Sequence, residues 1–541
     1  MDFEKVESNF ILSEDGKTAM GENGAVATAF PEATKAGIEI LKKRGNSVDA
    51  ACAAALALSV CEPQASGLGG QTMLLISKGN KVIAVDGSSR APSLSHVGAV
   101  YKRDRSSGYR ATTVPSTLAT LGYVQKEYGS LKWWQIVEPA LRIASDGYRI
   151  TELQHRLQQR EIEKFQKIES QSGLRYFYNE GNPYNIGDTF KQLDLATLLK
   201  KIAENGVEEF YTGTTAKRID ADMRENGGLL RADDLALVPW PIERKPLQGT
   251  FRDFKVYTMP PPGSGRSLLF CLALLNRLSP EDLNHDRLEI GVLLAEIFRN
   301  VLLERSDRPF DANFYPQVNE KEMLSRSFTR KTIKKILSTL APTLPIRETE
   351  DEHAGETTHL SVIDGNGMTV SLTQSIERVY GSKAAAQGLG FLYNNYMMDF
   401  EYKIIPHPYY LRPNAVPWAT VAPSILFHNK EVWMALGSPG SERIISTLAQ
   451  FLLHVIDEGM SLGEAMRMPR LHCSLGGRVS MEAKRFSKEF TSSLKEKGYR
   501  IKEREPYSFF LGAVHAVMKC RTRKGFQAVA EVRRDGTAAG F

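Results

Sequence analysis

The chain has 541 residues, of which 42% are hydrophobic, 24% charged and 9% aromatic, an ordinary globular composition with enough apolar mass for a large core. Its 69 basic and 63 acidic residues leave a formal charge of only +6, and no basic block of five or more occurs, so a nucleic-acid footprint is not supported. Uncharged apolar runs fall well short of the roughly 18 residues a membrane span needs. The cysteines Cys52, Cys61, Cys271, Cys473 and Cys520 are too few and scattered for a disulfide scaffold or a structural zinc site.

Residues 1–20 read as a polar, strand-poor lead-in, charged throughout and without the apolar segment of a secretory signal, so a cytoplasmic location is the expectation. From Gly24 the run AVATAF predicts a buried strand, and Pro31 opens a helix to about Arg44. Gly45-Asn46-Ser47 stops it and caps a second helix from Val48 to about Val60, apolar on nearly every side. The turn SGLGG at Ser66–Gly70 leads to predicted strands at 72–77 and 81–86. No GxxxxGK[ST] sequence occurs, so that turn is read as packing rather than a phosphate loop. Residues 115–335 are mainly helical by pattern, with a loop, MPPPGSGRS, at 259–267. The acidic segment 341–356 lacks an apolar face and reads as an exposed linker. Beyond it, 358–364 and 368–375 flank Gly365-Asn366-Gly367, a hairpin signal, and SILFHN with EVWMAL makes another pair. Helices return at 442–459 and 462–468. Helices, an acidic loop and a strand-rich half together suggest stacked α and β layers.

The chemistry-bearing stretch is Glu356-Thr357-Thr358-His359. A threonine hydroxyl becomes a useful nucleophile when a base stands within hydrogen-bond reach, and a free α-amino group on the same residue, of pKa about 8, is one such base. An internal threonine gains that amine only if the chain is cut at Glu356–Thr357, which its own hydroxyl can do by attacking the preceding carbonyl. His353 and His359 with Glu352 and Glu356 read as a solvated acidic loop rather than metal ligands.

Several ordered stretches carry a resemblance. They are GNSVDAACAAALALSVCEPQASGLGG at 45–70, Arg90-Ala91-Pro92, TTHLSVID at 357–364, GLGFLYNNYMMDF at 388–400, GSPGSERI at 437–444, MPRLH at 468–472 and RRDGTAAGF at 533–541. With them the chain resembles the gamma-glutamyltranspeptidases (glutathione hydrolases) from about Gly24 to Phe541. The resemblance implies an α+β, four-layer αββα N-terminal-nucleophile hydrolase fold. It also implies a proenzyme that cuts itself into a large chain, 1–356, and a small chain, 357–541, which stay intertwined. Thr357 matches the nucleophile. Ser375 falls where the family has a threonine that orients it. Gly440 and Ser441 fall on the turn whose amides form the oxyanion hole, and Asp399 matches a carboxylate holding the substrate's α-amino group. No metal or organic cofactor is implied, and the expected partner is a small-molecule amide such as glutathione.

The departures lie in the substrate contacts. The family's carboxylate-binding arginine aligns with Ser88, and Arg90 is the candidate replacement. The family asparagine and glutamine align with Glu377 and Tyr396, and its serine pair with Ala419 and Thr420. Glu377 beside Asp399 puts two carboxylates where the family has one, which favours a cationic substrate portion or a raised carboxyl pKa. Two activities follow as expectations: a self-processing gamma-glutamyl hydrolase or transferase, and an amidohydrolase of another specificity, cephalosporin-acylase-like or oxamate-hydrolase-like. An inactive relative is the third reading. Arg443 is read as a structural residue at a helix start, and Arg533-Arg534-Asp535 as packing.

Overall fold

The segment after Gly45 sets the frame. Arg44 takes a φ of 65°, which ends the helix Pro31–Lys42 two residues short of the predicted stop. Asn46 then caps the next helix: its Oδ1 accepts the amides of Val48 and Asp49, and the Asp49 carboxylate accepts the Asn46 amide. That helix, Ser47–Cys61, is buried along all 15 residues, since its run of Ala, Cys and Ser lets neighbours approach from every side. The Ser47 amide donates to Asp364 Oδ2 at 2.8 Å, tying the helix to the turn of the central hairpin.

The computed structural model describes residues 1–237, 241–285, 288–307, 320–347 and 355–541 of one continuous chain. Two seven-stranded sheets organise it. The first runs, edge to edge, Thr537–Gly540, Gly24–Thr28, Gly355–Asp364, Thr369–Arg378, Gln71–Lys78, Lys81–Gly87 and Ile242–Arg244. The second runs Thr18–Gly21, Phe526–Val529, His515–Lys519, Glu431–Gly437, Ser424–His428, Phe254–Thr258 and Leu247–Phe251. Alternation along the strands sorts their side chains into layers. Ala25, Met73, Leu75 and Ile363 of the first sheet meet Ile425, Ala435 and Val517 of the second between the sheets. Val26, Leu74, Val362 and Leu372 face outward onto a helical layer that includes Ser47–Cys61. Leu426, Met434 and Met518 face the other helical layer, which includes Gly265–Leu275, Ile290–Asp307 and Arg443–Ile456. The architecture is α+β in four layers, helix–sheet–sheet–helix.

Several expectations are corrected. The lead-in carries a helix, Phe3–Ser8, and an edge strand, Thr18–Gly21. The mainly helical region contains the strands Ile242–Arg244, Leu247–Phe251 and Phe254–Thr258. The exposed linker does not reach 356: Gly355 and Glu356 are buried and begin the strand Gly355–Asp364. Neither residue is apolar, so no pattern marks them, but pairing to Arg378 and Glu377 at the middle of a sheet buries them. Residues 348–354, with Glu352 and His353, lie outside the described residues. His359 is likewise no loop residue. It sits fully buried with Nδ1 2.8 Å from Thr373 Oγ1 and Nε2 3.0 Å from Ser361 Oγ, and burial, with His515 beside it, lowers its pKa. The five cysteines are free and buried. Among the described residues no helix is long and apolar enough to cross a membrane.

Candidate active site

Thr357 lies at an irregularity in the central hairpin. The register pairs Glu356 with Glu377 and Thr358 with Gln374, so the single residue Thr357 stands opposite two, Ser375 and Ile376. Such a bulge breaks the ladder and re-aims a side chain, and it has no signature in the sequence. Here it brings two hydroxyls and a carbonyl into line. Thr357 Oγ1 donates to Ser375 Oγ at 3.2 Å, and Ser375 Oγ donates to the Glu356 carbonyl oxygen at 2.8 Å. The Glu377 amide donates to Ser375 Oγ at 2.9 Å and fixes that rotamer. The hydroxyl beside the Glu356–Thr357 bond is thus oriented by the same group that polarises the carbonyl of that bond. Thr357 and Ser375 are 2% and 1% exposed, so both act in a dry environment.

The residue before the bond is pinned as well. The Glu356 carboxylate accepts the Thr357 amide at 3.1 Å and pairs with the Arg534 guanidinium, which lies over the Phe509 ring. Arg443 donates to the Gly355 carbonyl at 3.4 Å and to the Phe510 carbonyl at 3.0 Å. Both arginines, read from the sequence as structural, touch the segment that precedes Thr357. Gly355 itself has no room for a side chain: a Cβ there would stand 2.7 Å from Ser441 Cβ and 3.0 Å from its Oγ. Gly355→Ala is expected to displace the bond from the hydroxyl relay, so the cut expected at Glu356–Thr357 should slow, read on a denaturing gel as more full-length chain than in wild type.

Gly440 and Ser441 take φ values of 124° and 54° in succession, immediately before the helix Arg443–Ile456. Positive φ at two successive residues makes a sharp turn just ahead of that helix, where glycine at the first position meets no steric penalty. Their carbonyls accept the amides of Arg443 and Ile444, leaving the turn fixed by the helix it opens.

Ser441 also lines a cleft of about 410 Å³ with Glu377, Asp399, Thr420, Arg305 and Trp418. Asp399 closes the short helical turn Tyr396–Asp399 and lines the cleft. Glu377 has a φ of 79°, a strained angle for a non-glycine residue that keeps its carboxyl in the cleft. Burial raises the pKa of both Glu377 and Asp399, and the Glu377 charge adds to the rise at Asp399, the more strongly raised of the two. The two carboxyls that the sequence places together line the same cleft. Tyr396 is buried behind it, its phenol held well above the ordinary range by burial and by the Glu377 charge. Arg90 stands apart. It donates from Nη1 to the Asn414 carbonyl at 3.2 Å, pairs with Val114 in a β-bridge, and does not line the cleft. Ser88, where the family arginine aligns, turns its hydroxyl onto Asp86. No group of three or more His, Cys, Asp or Glu side chains suited to a metal ion occurs among the described residues.

A further carboxyl, not singled out in the sequence, lies beneath the site. Glu62 is 3% exposed, and burial raises its pKa from 4.5 to about 8, against the opposing charge of Arg534. A carboxyl with a raised pKa holds its proton more tightly when folded, so its contribution to stability is complete below 4.5 and is lost as pH climbs toward 8. Glu62→Gln is expected to melt like wild type near pH 4.5 and several degrees higher above pH 8, measured by calorimetry across that range.

The gamma-glutamyltranspeptidase family model matches residues 33–541. The chain belongs to that family. It is 32% identical over 520 residues to the glutathione hydrolase proenzyme of Escherichia coli strain K12, covering 92% of this chain and 88% of that one. It is 29% identical to the acylase ACY 1 proenzyme of Pseudomonas sp. strain SE83, covering 86% and 85%. Among solved structures, the cephalosporin acylase from Bacillus halodurans superposes with a TM-score of 0.86 at 25% identity over 98% of both chains. The family match takes in the relay at Thr357, the 440–441 turn and the cleft, together with every strand of the two sheets except Thr18–Gly21 and Gly24–Thr28.

Proposed function

We propose that this family member cuts itself at Glu356–Thr357 and then breaks amide bonds through Thr357, with gamma-glutamyl compounds such as glutathione as substrates. The observation that carries the reading is the relay from Thr357 Oγ1 through Ser375 Oγ to the Glu356 carbonyl. In the first step Thr357 Oγ bonds to the Glu356 carbonyl carbon, the C–N bond breaks, and the hydroxyl proton passes to the departing nitrogen. Water then hydrolyses the ester, giving a Glu356 carboxylate and a free α-amine on Thr357. That amine, of pKa about 8, takes the proton from Oγ in each later attack and returns it to the leaving amine. The amides at Gly440 and Ser441 are the donors proposed for the oxyanion; one such donor is typically worth about 3–4 kcal/mol. Water or an acceptor amine releases the acyl group, giving hydrolysis or transfer.

A second reading has its own support. The glutathione hydrolase contacts are rewritten at Ser88, Glu377 and Tyr396, and the cephalosporin acylase of Bacillus halodurans matches over nearly the whole length. An acylase acting on amides without an α-amino group fits a cleft in which burial raises the pKa of Glu377 and Asp399 and so weakens their hold on an ammonium. The test is release of glutamate from glutathione by purified, cut protein. No release from glutathione or from a gamma-glutamyl anilide, with hydrolysis of other acyl amides intact, would move the assignment to the acylase reading.

A further inference from the structure

The helix Arg326–Thr339 packs on the outside of the second helical layer. Ile333 and Ile336 belong to that core, while Arg326, Arg330, Lys331, Lys334 and Lys335 are exposed. The helix carries no Asp or Glu, and none of the five cations forms an ion pair among the described residues. Their placement works against the helix. Arg326 and Arg330, Arg330 and Lys334, and Lys331 and Lys335 are like charges four residues apart, which are neighbours on a helix surface and repel. Arg326 also stands in the first turn, where the helix dipole disfavours a cation. These five charges nearly equal the formal charge of +6 of the whole chain, so the remainder of the chain is close to neutral. A second element adds to the face. Arg277, just beyond the helix Gly265–Leu275, shares a groove of about 570 Å³ with Arg330, Lys334, Ser338 and Leu337, the last 45% exposed. The Arg277 Nε is shielded from water and meets no acceptor among the described residues.

We propose that this face docks on an anionic lipid surface, with headgroup phosphates at Arg277, Arg330 and Lys334. Such a surface relieves the repulsion along the helix, and a helix with one strongly basic face is the usual form of such a contact. The exposed Leu337 among the cations suits the boundary between headgroups and acyl chains and offers nothing to a sugar–phosphate backbone. The one aromatic ring of the helix, Phe328, packs against the core, so no ring is presented for stacking bases. Because Ile333 and Ile336 are held by the core, the helix lies on the lipid rather than in it, and the attraction is electrostatic.

The test is co-sedimentation of the purified protein with vesicles of phosphatidylcholine alone, and of phosphatidylcholine and phosphatidylglycerol in equal parts. Binding is expected on the mixed vesicles only, and is expected to vanish in about 1 M salt, where the Debye length falls to about 3 Å. Arg330→Gln, Lys331→Gln, Lys334→Gln and Lys335→Gln combined should weaken it several hundred-fold, at about five-fold per charge. Glutamine keeps helix propensity, so the melting temperature should not fall. Lys42→Gln, Lys126→Gln, Lys200→Gln and Lys217→Gln combined, on exposed positions of the opposite helical layer, remove the same charge and should bind like wild type. No binding to the mixed vesicles, equal loss in the two fourfold variants, or binding to a DNA duplex with none to the vesicles overturns the proposal. Should the first fourfold variant fail to fold, Arg330→Gln with Lys334→Gln decides, with a loss of about 30-fold expected.

Discussion

Thr357→Ala is expected to purify as one uncut chain of 60.3 kDa, where wild type gives two fragments of about two-thirds and one-third of that mass. The methyl group that replaces the hydroxyl cannot form the ester, and without the cut no α-amine exists to act as base. Turnover on any amide is therefore expected to fall by at least about 10⁴-fold, the scale seen when a covalent nucleophile is removed. The fold should survive, because the side chain lost is small and its one bond, to Ser375, is between hydroxyls. Mass spectrometry of wild type is the companion measurement: a small fragment beginning at any residue other than Thr357 refutes the mechanism.

Ser375→Ala is expected to give the second largest effect. It removes the donor to the Glu356 carbonyl, the acceptor of the Thr357 hydroxyl and the acceptor of the Glu377 amide at once. Maturation and turnover should both slow by about 100-fold, the lower range for a positioned proton-handling group. The buried carbonyl and amide left unmatched should also lower stability by roughly 1–3 kcal/mol each. Ser375→Thr keeps donor and acceptor and should mature close to wild type. A gel time course separates the outcomes, since equal rates for Ser375→Ala and wild type would show that the relay is not used.

Much of the layered frame is legible in the sequence because its signals are local. The Gly365-Asn366-Gly367 turn announces the central hairpin, and the alanine-rich run after Asn46 announces a helix buried on all sides. The arrangement around Thr357 is less legible, because it depends on elements remote in the chain. The bulge opposite Thr357 leaves no pattern, since a strand reads the same with or without one extra residue across from it. Arg305 lies 52 positions before Thr357 at the end of an amphipathic helix, where an arginine is an ordinary last-turn residue. Glu62 follows an apolar helix as its C-terminal cap, and nothing in the local sequence marks it as a buried acid; the groups around it, Arg534, Thr358, Glu356 and Asp535, come from remote parts of the chain. The short strands Ile242–Arg244 and Phe526–Val529 escape for a different reason: each is too brief to show an alternation.

The order of strands in the first sheet has a consequence for how the protein ages. Counting across it, segments from before and after Thr357 interleave: Thr537–Gly540, then Gly24–Thr28, then the hairpin Gly355–Arg378, then Gln71–Lys78. Before the cut, unfolding and recovery are events within one molecule. After it, the two pieces would have to find each other in solution and thread back between one another's strands, so recovery would depend on concentration and compete with aggregation. A matured enzyme of this design would persist by unfolding slowly, and heat or denaturant would inactivate it for good while the uncut Thr357→Ala form returned on cooling.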